Sequence, residues 1–163
     1  RQMCIRDSLL AATIPNCVAY DPCFAFELAV IIQNGLERMV KNQEDVYFYI
    51  TVMNENYTHP DMPKGVQQGI IDGIYLFSES TNKDLSVHLM GSGVILREVI
   101  EAANILESEY NIGANIFSVT SFNELRKNAL DIERWNRLNP DKDKKVSHVD
   151  AAIKDKELSL IHI

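Results

Sequence analysis

LSVHLMGSGVILREVIEAANILESEYNIGANIFSVT, residues 85–120, carries two hydrophobic periods in immediate succession. Leu85 to Met90 alternates and reads as a strand. Gly91-Ser92-Gly93 supplies a sharp turn. From Val94 to Tyr110 the period becomes helical: Ile95, Val99, Ala102, Leu106 and Tyr110 repeat on one face, beside Leu96, Ile100, Ala103 and Ile105. Asn111-Ile112-Gly113 is a helix-end signal, and Asn115 to Thr120 returns to a strand. A helix of this length between two short strands is the crossover of a parallel pair, and its hand should be right. An antiparallel hairpin of 85–90 with 115–120 is excluded by the same argument. The helix over 94–110 should be the longest in this half of the chain.

Outward from that unit the signals continue. Ser121 opens a further helix, with Glu124 three residues on completing a capping box. Trp135 is a packing anchor on that helix or at its end. From Asn139 the chain is charged and rich in turn residues. Upstream, Thr13 to Tyr20 reads as a buried strand entered through Pro15. Asp21-Pro22 starts a helix, Asp as cap and Pro at the first helical position. Cys23 to Lys41 is amphipathic, with Phe24, Leu28, Ile31, Gly35 and Met39 on the inner face and Glu37, Arg38 and Lys41 outside. Val46 to Met53 is a second buried strand. Asn54 to Pro63 is a loop, 65–72 a helical turn, 73–79 an extended segment and 80–84 a polar turn. The fold class is α/β, with parallel sheets flanked by helices in two consecutive portions.

Composition narrows the function. The chain has 163 residues, 46% apolar and 24% charged, which is globular and excludes whole-chain disorder. Sixteen basic against 23 acidic residues leave a net charge of −7, which disfavours a nucleic-acid partner. The longest unbroken apolar run, Leu28 to Ile32, is far below the roughly 20 residues a membrane span needs. Cys4, Cys17 and Cys23 form no CxxC pair. His59, His88, His148 and His162 show no HxxxH spacing, so a zinc site is not expected. Free thiols fit a reducing cytoplasm. Arg1 to Ser8 and Leu158 to Ile163 resemble translated sequencing-adapter read-through and are expected to be a non-native leader and tail, leaving Cys4 and His162 without functional weight.

Few residues suggest chemistry. Gly91-Ser92-Gly93 sits where a helix N-terminus can hold an anion, but its GxG spacing completes neither the dinucleotide nor the Walker fingerprint, and a structural turn is the simpler reading. Asn54, Glu55, Asn56, Tyr57 and His59 form the most polar cluster; Glu55 and His59 could exchange protons, yet turn and interface contacts account for such a loop equally. His88 lies in a strand and reads as a packed sheet residue. Ser118, Thr120 and Ser121 close a strand at the end where α/β ligands often sit, without a visible Ser/His/Asp set.

Four runs carry a resemblance. IPNCVAYDPCFAFELAVIIQNGLERM (14–39), VYFYITVMNENYTHPDMPKGVQQGIIDGIY (46–75), LMGSGVILREVIEAANIL (89–106) and SVTSFNELRKNALDIERWNRLNP (118–140) resemble, in order, the homodimeric pyruvate dehydrogenase first component, a thiamine-diphosphate family of transketolase-like fold. The NENY…P…MP…G loop and the SVTSFNEL…ERWN stretch are its most specific features. The resemblance implies that 9–53 is the end of the pyrimidine-binding middle domain, 54–72 the interdomain connection and 73–157 the start of the C-terminal domain. It implies a whole protein that is cytoplasmic and homodimeric, uses thiamine diphosphate and Mg2+, decarboxylates pyruvate and passes the acetyl group to the lipoyl group of a dihydrolipoyl acetyltransferase core. In the family, the diphosphate–magnesium segment, the activating glutamate and the core-docking segment precede the position of Thr13. The resemblance therefore implies no catalytic, cofactor or metal residue within this chain, no cofactor bound by it alone, and no activity of its own. It leaves Tyr20 and Asp21 as substrate-channel candidates: related transketolases carry an Arg-Pro-Ala-Asp turn there that holds sugar phosphate, and Tyr20 stands in place of that Arg. A non-catalytic or regulatory transketolase-like subunit is the alternative. Another thiamine enzyme is a third reading, against which Tyr20 and the NENY loop argue.

Overall fold

The computed structural model describes residues 9–80, 85–153 and 158–161. The expectations placed on residues 1–8, including Cys4, on 81–84 of the polar turn and on His162 lie outside the described residues. Two sheets form. The first pairs β1 (Cys17–Tyr20) with β2 (Tyr47–Ile50) in parallel, from Cys17 opposite Tyr47 to Tyr20 opposite Ile50. The crossover is α1 (Ala25–Leu36), continued as one π turn over Glu37–Lys41. After the loop, α2 (Gln67–Asp72) stops at Gly73, whose φ of 102° is readily adopted only by glycine.

The second sheet has the order β3-β5-β4-β6, from β3 (Ile74–Ser78), β4 (Ser86–Gly91), β5 (Gly113–Val119) and β6 (Leu158–Ile161). β4 and β5 are parallel, as the residue 85–120 period requires, and α3 (Ile95–Tyr110) connects them. Asn111, in the left-handed region at φ 55°, ends that helix. β3 adds antiparallel to β5, and β6 parallel to β4. The remaining helices are α4 (Phe122–Leu138) and α5 (His148–Ala152).

Several expectations need correction. β1 starts at Cys17, because Thr13 Oγ1 bonds Leu10 O at 2.7 Å and ends a helical turn over 9–12. Asp21 does not cap α1: the cap residue is Phe24, and the carboxylate of Glu27 receives the free amides. The longest helix of the second portion is α4, with 17 residues against 16 for α3. Nothing between Phe122 and Leu138 is Gly or Pro, and Ser121 Oγ caps its start by accepting from Glu124 N at 3.1 Å. On α3 the buried stripe is Leu96, Val99 and Ala103, while Tyr110 and Ala102 stand outside. Phe24, on the inner face as expected, is buried and stacks on Phe77, with centroids 5.2 Å apart. β2, expected to be buried, is only half-buried, and its Tyr47 is exposed. Trp135 is half-buried, with Lys145 Nζ 4.3 Å above its ring.

The core runs across both sheets. One cluster joins Cys23 and Phe24 to Val87, Leu89, Leu96, Val99 and Ile116; another joins Val18, Tyr20 and Ile31 to Ile70 and Tyr75. The turn after β1 is thereby held against the second sheet.

Candidate functional site

The turn Tyr20-Asp21-Pro22 leaves the C-terminal end of β1 at the junction of the two sheets. Its backbone is fixed from the second sheet. Asp21 N donates to Thr120 O at 2.7 Å, and Gly93 N donates to Asp21 O at 3.1 Å. Its side chain is fixed from both sides. One carboxylate oxygen accepts from Thr51 Oγ1, and the other from Ser92 Oγ at 2.9 Å. The Gly91-Ser92-Gly93 turn therefore already faces an anion, the chain's own Asp21. Gly93 takes φ +49°, and a Cβ on it would lie 2.6 Å from both Asp21 carboxylate oxygens.

Tyr20 points the other way. It is 3% exposed, its hydroxyl donates to Ile71 O at 2.7 Å, and its ring stacks on Phe48. Burial holds its phenol far above the usual range. Both channel candidates meet the junction: Asp21 through its backbone and carboxylate, and Tyr20 as a buried ring packed with Ile70 and Tyr75, which anchors the turn.

Beside Pro22 lies a shallow cleft of about 190 Å³, walled by Cys23, Phe24 and Ala25 on one side and by Thr51, Met53, Glu55, Tyr57 and His59 on the other. The polar loop closes this cleft through defined bonds. Tyr57 Oη donates to Cys23 O, and His59 Nδ1 accepts from Ala25 N at 3.1 Å. Arg97 lies 4.6 Å over the Tyr57 ring and pairs with Glu55 at 2.9 Å. Glu55 thus engages an arginine, and His59 a helix amide, in place of a proton exchange between them. Burial pushes both the Cys23 thiol and the Tyr57 phenol up to about 12, so both stay protonated at neutral pH. Cys17 and Cys23 are free and buried.

The strand-end hydroxyls are structural as well. Thr120 donates to Ile70 O at 2.7 Å, Ser121 to Ala19 O at 2.6 Å, and Ser118 to Glu27 at 2.6 Å. His88 is buried in β4 with its ring 5.2 Å from Phe117. Among the described residues no three His, Cys, Asp or Glu side chains converge as metal ligands. With Asp21 engaged by two hydroxyls and the Gly93 amide engaged by Asp21, these residues do not fit a magnesium–diphosphate group. Glu27 is the residue that periodicity passed over. It falls at 27/31/35 with Ile31 and Gly35, a stripe in which a charged member signals a satisfied buried carboxylate.

Comparison with known proteins accounts for both halves. The pyruvate dehydrogenase E1 component middle domain matches residues 4–60, and the transketolase-like C-terminal domain matches 73–159. A pyruvate dehydrogenase E1 component of Pseudomonas aeruginosa is 54% identical over 146 residues, covering 89% of this chain and 17% of the relative. Those of Escherichia coli and Cupriavidus necator are 49% and 48% identical, each over 88% of this chain and 16% of the relative. The chain thus spans about one sixth of these relatives' length. Among solved structures, a transketolase from Campylobacter jejuni superposes with a TM-score of 0.51 at 21% identity, over 73% of this chain and 17% of that one. A transketolase variant from Pichia stipitis gives 0.54 at 15% identity, over 91% and 18%. These two bear on the fold, which is transketolase-like α/β. No helix among the described residues is long and apolar enough to cross a membrane. With one family model on each side of the connecting loop, the chain belongs to the pyruvate dehydrogenase E1 component family, of which it forms the stretch joining the middle domain to the transketolase-like C-terminal domain.

Proposed function

We propose that the whole protein is a cytoplasmic, homodimeric pyruvate dehydrogenase component that decarboxylates pyruvate and transfers the acetyl group to the lipoyl group of an acetyltransferase core. The observation that carries this reading is 54% identity to a pyruvate dehydrogenase E1 component sustained over 146 residues, through both domains and the loop between them. Thiamine diphosphate with Mg2+ supplies the electron sink for decarboxylation when bound; segments other than this one hold it.

Within that protein the present chain is the junction. Residues 9–53 end the middle domain, 54–72 connect, and 73–157 begin the C-terminal domain. Asp21 and Pro22 line the substrate channel, and Tyr20 holds them from behind. The support is geometric: Pro22 lines the cleft, and Asp21 beside it is fixed by hydrogen bonds from both portions of the chain. No charged group of the turn is left over for a phosphate, which suits a carboxylate substrate as small as pyruvate. The test is pyruvate-dependent acetylation of a lipoyl domain by the whole protein with thiamine diphosphate and magnesium. Turnover on pyruvate is expected; turnover confined to a sugar phosphate refutes the reading.

A further inference from the structure

Glu27 is fully buried, in a helix whose other buried residues are Ile31 and Gly35. An ionised carboxylate taken out of water costs several kcal/mol unless hydrogen bonds replace its hydration. Here four donors do so. Oε2 accepts the amides of Cys23 at 2.6 Å and Phe24 at 2.9 Å. Oε1 accepts the hydroxyls of Tyr75 and Ser118, both at 2.6 Å. The amides belong to the turn that walls the cleft. The hydroxyls belong to the second sheet, where Tyr75 of β3 and Ser118 of β5 are directly paired in the antiparallel register. That register places two hydroxyls side by side, aimed at one oxygen of a residue 48 and 91 positions away in sequence.

We infer that Glu27 is a positioning residue that fixes the cleft wall, Cys23 to Ala25, and the Asp21-Pro22 turn before it to the C-terminal sheet, with the Tyr75–Ser118 pair as its receptor. Four donors on two oxygens saturate a carboxylate, so the junction closes in one arrangement. The backbone bonds from Asp21 N to Thr120 O and from Gly93 N to Asp21 O lie on the same junction and depend on it. The assignment rests on the proposed function only for what the cleft wall serves.

The donors dictate the test. Backbone amides can only donate, whereas hydroxyls donate or accept. A glutamine at this position keeps its oxygen on the two amides and turns its NH2 to the hydroxyls, which rotate to accept. Leucine satisfies none of the four. Hydrogen exchange of the full 163-residue chain reads the result. In a Tyr75→Phe/Ser118→Ala double variant, the Asp21 and Gly93 amides should exchange at least about tenfold faster, while the β4–β5 ladder changes less than about twofold. Glu27→Gln should stay within about threefold of the parent chain at the same amides, and Glu27→Leu should not. If the double variant does not fold, Tyr75→Phe alone carries the comparison, with acceleration of at least about threefold. Unchanged protection of Asp21 and Gly93, equal acceleration in both sheets, or Glu27→Gln matching Glu27→Leu would each overturn the inference. Exchange depends on this chain alone and turnover on the whole protein, so failure of one reading is distinguishable from failure of the other.

Discussion

Gly93→Ala is the sharpest probe of the junction. Gly93 holds φ +49°, and a Cβ there would sit 2.6 Å from both carboxylate oxygens of Asp21. Two costs arise. Left-handed backbone costs a non-glycine residue about 1–2 kcal/mol. The carboxylate must also withdraw, weakening its bonds from Thr51 and Ser92, each worth about 1.5 kcal/mol or more to a charged acceptor, discounted for partial exposure. The sum is about 3 kcal/mol, or roughly 6–12 °C in Tm for a chain of this size. A double-mutant cycle separates the terms. In an Asp21→Ala background the clash disappears, and Gly93→Ala should cost only the backbone term, about 1–2 kcal/mol. Urea unfolding of the four proteins, followed by circular dichroism, measures both steps. Equal costs in the two backgrounds, within about 0.5 kcal/mol, would refute the contact and with it the placement of the turn.

Other substitutions follow from the same packing. Gly69→Ala sets a Cβ 2.7 Å from Tyr75 Cβ and 2.9 Å from Ile74 O, which is overpacking of about 1–3 kcal/mol visible as a lower urea midpoint. Ser121→Ala removes the α4 cap and the 2.6 Å bond to Ala19 O, so a loss of about 1–3 kcal/mol is expected in the same assay. Alkaline pH should destabilise the chain. Cys23 is raised from 9 to about 12 and Tyr57 from 10 to about 12, so the unfolded state releases these protons first. The stability they contribute is complete below pH 9 and is lost between about pH 9 and 12. A thiol reagent at pH 8 should leave Cys17 and Cys23 unmodified until the chain unfolds, because both are buried and the Cys23 thiol keeps its proton.

The parallel pairs β1–β2 and β4–β5 were legible because each crossover helix carries its own hydrophobic period between two short apolar runs, whereas the antiparallel β3, with no crossover helix to β5, was not. The end of α3 was legible for a local reason, since Asn111 accepts left-handed backbone. What periodicity missed depends on contacts distant in sequence. Glu27 reads as a surface residue until Tyr75 and Ser118 arrive from 48 and 91 positions away. Asp21 reads as a helix cap until the Ser92 hydroxyl reaches it across 71 positions. The partner of the Tyr20 hydroxyl, Ile71 O, lies 51 positions away.

The family assignment is tested most directly by exchange of segments. Residues 14–140 of this chain are placed in the Pseudomonas aeruginosa relative in place of its own matching stretch, and pyruvate-dependent acetylation of a lipoyl domain is measured with thiamine diphosphate and magnesium. With 54% identity across the aligned stretch and a junction whose hydrogen bonds are internal to it, the account predicts a folded chimera with kcat within about tenfold of the relative's, or about 1.4 kcal/mol. A chimera that folds as stably and elutes at the same size as the relative, yet acetylates the lipoyl domain more than about a thousandfold more slowly, would contradict it.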